Sequence, residues 1–162
     1  MNILLIVLAL IMIWRIAMGM NRGGVRETIA FVNVIFAALV LGLVSMVINA
    51  YHAGNYIGIA LFVIAIVAVS VIYSILKIVF FSAKVISKLP VVSSADKLLG
   101  LLIGVAETLI IYWAMCCVFL YVDLGVLEEQ LMLMIRESAV LTGLYEYNLL
   151  GVLMDMLKAK LY

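Results

Sequence analysis

Long apolar runs broken by short polar links dominate the first three-quarters of the chain. A helix crossing the hydrocarbon core of a bilayer needs about 20 mostly apolar residues. Four stretches meet or approach that length: about residues 3–18, 28–50, 56–76 and 98–121. The first is the shortest, with Trp14 and Arg15 near its end, and an arginine there can snorkel toward the nearer headgroups. Its start resembles a signal peptide only in length. Met1 and Asn2 carry no side-chain positive charge and no A-x-A site follows, so it reads as a retained span.

The pattern changes after Tyr121. From Asp123 to Tyr162, Leu and Met alternate with charged residues. Leu127, Leu131, Met134, Ser138 and Leu141 recur at helical spacing, with Glu128, Glu129, Arg136 and Glu137 off that stripe. A second helix is expected from about Leu149 to Leu161, on the apolar positions Leu149, Leu153, Met156 and Leu157, with "LTGLYEYN" separating the two. Helices of this kind lie on a membrane face or cap a bundle. The expected fold class is therefore an all-α membrane protein. Residues 1–122 form a four-helix transmembrane domain, and residues 123–162 form amphipathic helices on the outer membrane face.

Composition agrees with that solvent. Of 162 residues, 69% are hydrophobic and 12% charged, against about 25% charged in soluble domains. That apolar composition makes the lipid bilayer the expected partner, and a net charge of +1 gives no sign of nucleic-acid binding. Cys116 and Cys117 are adjacent in an apolar run, the spacing neither of a disulfide framework nor of metal ligands. They read as packing residues. His52, the single histidine, falls in a short link and reads as solvated. No cofactor or metal site is expected.

Orientation follows from the links. "GMNRGGVRE" carries Arg22 and Arg26, and the third link carries Lys77, Lys84, Lys88 and Lys97. "YHAGN" carries neither Lys nor Arg. The positive-inside rule puts the first and third links in the cytoplasm and both termini outside, with Tyr51, Tyr56 and Tyr121 at the outer interface. In the first link, Gly23 and Gly24 permit a tight reversal. Arg22, Gly23, Gly24, Arg26 and Glu27 then form a cytoplasmic anchor or headgroup contact at a helix N-terminus, where an anion is favoured. In the third link, Lys77, Lys84 and Lys88 share a helical face, so the third helix is expected to continue along the membrane surface until Pro90. Ser93 and Asp96 make an S-x-x-D start for the fourth span.

Inside the fourth span, "GLLIGVAETLII" presents Gly100, Gly104 and Thr108 every four residues, a small-residue stripe that allows close helix approach. Glu107 lies beside that stripe and near the bilayer midplane. An ionised residue there costs about 2.5–3.5 kcal/mol on insertion scales, so it is expected to face another helix. Three resolutions are open: an ion pair with Arg15, a hydrogen bond from Asn33, or protonation of the carboxyl.

Three blocks resemble one known family. "RGGVRETIAFVNVIFAALVLGLVS" resembles the second-span signature of the bacterial colicin V production protein family, "SSADKLLGLLIGVAETLII" its fourth-span signature, and "LYEYNLL" a short C-terminal element of Gram-positive members. Their order and spacing cover nearly the whole chain. The resemblance implies a multi-pass protein of the bacterial plasma membrane, named for a requirement in toxin biosynthesis rather than for a catalysed reaction. The family's fourth span usually has an arginine where this chain has Glu107. The expected function is non-enzymatic support of peptide export and envelope homeostasis. The alternative is a small oligomeric channel or transporter using Glu107, its lumen lined by Ser45, Asn49, Ser70 or Ser74. A homo-oligomer or other membrane proteins are the expected partners.

Overall fold

A computed structural model describes residues 2–86 and 94–161, and those residues form seven helices with no strand among them. They are α1 (Ile3–Arg22), α2 (Gly24–His52), α3 (Tyr56–Ile86), α4 (Ser94–Tyr121), α5 (Val126–Arg136), α6 (Ala139–Glu146) and α7 (Leu149–Leu161). The first four are long and apolar enough to cross a membrane. Each outruns its apolar core, because helix propagation does not stop where hydrophobicity does.

Local chemistry sets the ends. Asn2 caps α1 by accepting from the Leu5 amide at 3.2 Å. The chain then reverses between α1 and α2 within a single residue, Gly23, at φ 80°. That left-handed conformation favours glycine. Asn55 starts α3 by accepting from the Gly58 amide at 2.8 Å. Past Leu76, α3 continues unbroken to Ile86. The lysine face that includes Lys84 and Lys88, the stop at Pro90 and the cap at Ser93 lie outside what is described there.

In space, α4 is flanked by α1 and α2, and α3 packs on the far side of α2. The α2 and α4 helices run parallel: Gly24 meets Asp96 and Leu99 at one end, and Ala50 shares a buried cluster with Tyr121 at the other. Two apolar clusters complete the core. Ala38, Leu43, Met46, Phe62, Ala114 and Cys117 pack with Leu150 and Met154 of α7. Leu4, Tyr112 and Cys116 pack with Ile135 and Leu141 of α5 and α6.

The C-terminal segment departs from its expected layout. It forms three helices, because Ser138 is an N-cap: its hydroxyl accepts from the Leu141 amide and starts a new helix. Most of "LTGLYEYN" is thus α6 rather than a spacer. Asn148 repeats the device for α7, accepting from Gly151 N at 2.9 Å. The three helices cap the bundle through their buried faces. Tyr112 and Trp113 of α4 donate to the carbonyls of Leu141 and Leu144, each at 2.9 Å. Asn2 donates to the carbonyl of Met134, tying the start of α1 to α5. Tyr121 differs from the two other tyrosines expected at that level. It is buried, donating to Asp155 at 2.6 Å, whereas Tyr51 and Tyr56 are exposed.

A candidate intramembrane charge site

The α1–α4 contact is built on glycine. A Cβ on Gly100 would fall on the carbonyl of Gly19, and one on Gly104 would come within 2.8 Å of the carbonyl oxygen of Arg15. With no side chains between them, the two backbones approach closely, and residue 15 is held beside the fourth helix. Thr108 continues the stripe, its hydroxyl donating to the Gly104 carbonyl at 3.0 Å, so it adds no unpaired donor.

Three charged side chains from three helices converge at this contact. Arg15 of α1 forms an ion pair with Glu107 of α4, and its Nη2 lies 3.6 Å from Glu27 Oε1 of α2. Both glutamate side chains are 0% exposed and that of Arg15 is 11% exposed. Arg22, 45% exposed, stands at the edge of the site with Nη1 3.8 Å from Glu27 Oε2. The two Glu27 contacts exceed hydrogen-bond length, and both of its oxygens are buried without a hydrogen-bond partner. Leaving one member of such a set unpaired costs more than the set gains when complete. The cluster therefore acts as a lock joining α1, α2 and α4.

Of the three resolutions for Glu107, the structure brings Arg15 to it and not Asn33. Asn33 lies six residues beyond Glu27, about 120° around the helix at ~100° per residue, and so faces α3. There it is exposed and accepts from the Tyr73 hydroxyl at 3.1 Å.

Glu27 is also corrected. It is not a headgroup contact but a buried member of the charge site, since the one-residue turn at Gly23 directs the first turn of α2 against α1 and α4. Its sequence signal was available: an acid following two arginines at the mouth of a span needs a cation once buried. Arg26 is exposed.

The anion at the α2 N-terminus is the protein's own. Gly24 N donates to Asp96 Oδ1 at 2.8 Å, and a Cβ on Gly23 would collide with the same carboxylate. Sequence reasoning placed Asp96 only in an α4 cap. The clue to its other role is that an acid opening α4 sits at the same membrane level as the glycine pair.

The serines expected to line the lumen of an oligomer each donate to a carbonyl of their own helix. Ser45 is buried and donates to Leu41 O. Ser70 and Ser74 are exposed on α3 and donate to Ile66 O and Ser70 O. Among the described residues, no group of three or more His, Cys, Asp or Glu side chains is placed to hold a metal. Cys116 and Cys117 are free thiols buried in the two apolar clusters.

Residues 5–148 match the family model for colicin V production protein. The chain belongs to that family. No curated protein and no solved structure matches it. The match takes in the whole charge site, from Arg15 to Glu107, and ends at Asn148, the cap of α7. With four helices of membrane-spanning length, this member of the colicin V production family is a multi-pass membrane protein.

Proposed function

We propose that the protein is a non-enzymatic component of the bacterial plasma membrane that supports production or export of a peptide toxin and envelope homeostasis. Its termini lie outside the cell and its Arg- and Lys-bearing links inside. The observation that carries this reading is how the chain uses its intramembrane charge. Arg15, Glu27 and Glu107 bind three helices to one another, and Asp96 binds the inner ends of α2 and α4. These contacts suit a rigid framework on which other membrane proteins assemble. The family match supplies the link to toxin production.

The test uses a toxin-producing strain lacking the gene. Secreted toxin activity returns with the wild-type chain and fails to return with Gly100→Leu, which separates α1 from α4. The purified protein in liposomes passes no ions. Ion flux that disappears in Glu107→Gln would overturn the framework reading and favour a channel.

A further inference from the structure

The charge site has one more acid than it has buried bases. Glu27 and Glu107 are both wholly buried, while Arg15 is the only guanidinium at the centre. Arg22 reaches Glu27 at 3.8 Å but is 45% exposed, so water screens it. Among the described side chains, the other charges on the neighbouring elements are engaged or turned away. Asp96 lies against the Gly23–Gly24 turn, Arg26 is exposed, and α3 packs on the far side of α2 with Lys77 exposed. With both carboxyls ionised, the buried centre would hold a net negative charge in a medium of low dielectric. Two carboxyls forced to share a site do not both ionise readily, and a buried charge without a partner is costly. Glu27 makes the point geometrically. Its oxygens are buried, its contacts to both arginines are longer than hydrogen bonds, and neither oxygen has a hydrogen-bond partner.

We infer that Glu27 and Glu107 share one proton, making the junction of α1, α2 and α4 an intramembrane proton-binding site. The set is then electrically neutral: one guanidinium, one carboxylate and one carboxylic acid. Either glutamate can supply the carboxylate that Arg15 needs, and the other holds the proton. Deprotonation breaks the remaining carboxylic O–H bond, releases the proton to water on the Arg22 side and leaves the centre negative. Arg22, already half in contact, is the group placed to compensate. Packing of the three helices is thereby linked to protonation.

The test is infrared spectroscopy of the full-length protein in lipid nanodiscs at neutral pH, reading the carboxylic-acid C=O stretch, with Glu27→Gln, Glu107→Gln and the double variant alongside. The wild type shows a protonated carboxyl, and each single variant loses it, because the remaining glutamate becomes the carboxylate partner of Arg15. Both single variants keep melting temperatures within a few degrees of the wild type, and the double variant, with Arg15 unpaired, melts far lower. A wild-type spectrum without this band overturns the inference whether or not the variants fold. A band that persists in either single variant also overturns it.

Discussion

The carbonyl of Gly19 occupies the space a Cβ on Gly100 would require, and Gly100 in turn blocks a Cβ on Gly19. Both obstacles are backbone, which cannot swing aside as a side chain does. Gly100→Ala therefore forces α1 and α4 apart. Overpacking of this kind costs about 1–3 kcal/mol, to be read as a fall in unfolding free energy in detergent. Gly42 is the control. The atoms nearest its Cβ position, at 3.1–3.4 Å, belong to the flexible Met154 side chain, so Gly42→Ala costs less. Gly143, helical with open space around it, gains slightly on Gly143→Ala, by about 0.4–1 kcal/mol from the unfolded chain.

Removing the cation from the charge site leaves two buried carboxyls facing each other. Arg15→Leu should destabilise the protein by about 3–5 kcal/mol, the range for breaking a buried ion pair. Arg15→Lys recovers only part of this, because an ammonium lacks the planar fork that can address two carboxyls at once. Arg26→Ala, at an exposed position, stays within about 0.5 kcal/mol. Chemical denaturation of the three variants in one detergent ranks them.

The spans were legible because length and apolarity are one-dimensional properties. The small-residue stripe through Gly100, Gly104 and Thr108 pointed Glu107 at a helix for the same reason, since helical spacing alone places residues on a face. Its partners were harder to identify. Arg15 stood out as the one cation inside the first span, but Glu27 lay in a block whose arginines and glycines suggested an anchor. Only the one-residue turn at Gly23 carries it into the core. Asn33 stays open as a partner in the sequence because depth can be counted along a chain, while the angle around the helix must be checked against the neighbours. The break at Ser138 was hidden by the continuous stripe from Leu127 to Leu141, in which a good capping residue also fits helical spacing.

The Tyr73–Asn33 hydrogen bond joins α2 to α3. Interhelical bonds of this kind in membranes average about 0.6 kcal/mol, with a maximum of about 1.7. Tyr73→Phe should therefore weaken the α2–α3 contact only slightly, far below the effect at Arg15. The same denaturation assay decides it. An effect as large as that of Arg15→Leu would mean that Asn33 has a greater role than holding α3.

Met154 of α7 is 0% exposed and packs against Gly42, 18 residues along α2 from Gly24. At 1.5 Å per residue the separation is about 27 Å, which seats α7 against the half of the bundle farther from the Gly23 turn. Met154→Ala leaves a cavity and costs about 2–5 kcal/mol if the site does not collapse. The loss should be concentrated in α7, because its other anchors, Leu150 and Asp155, lie on the same short helix. Faster amide hydrogen exchange in residues 149–161, with α1 and α4 unchanged, is the expected pattern.

Labelling by a membrane-impermeant thiol reagent tests the orientation, and the native cysteines need not be removed, because Cys116 and Cys117 are both buried. His52→Cys sits at the exposed end of α2, and Arg26→Cys is at an exposed position in the first turn of the same helix. The positive-inside rule places residue 26 with the Arg-bearing link in the cytoplasm. In intact spheroplasts His52→Cys should label and Arg26→Cys should not, and permeabilisation should expose the second. The reverse pattern would invert the chain in the membrane and put Arg22, the edge of the charge site, on the outer side. Labelling of both before permeabilisation would mean that α2 does not span.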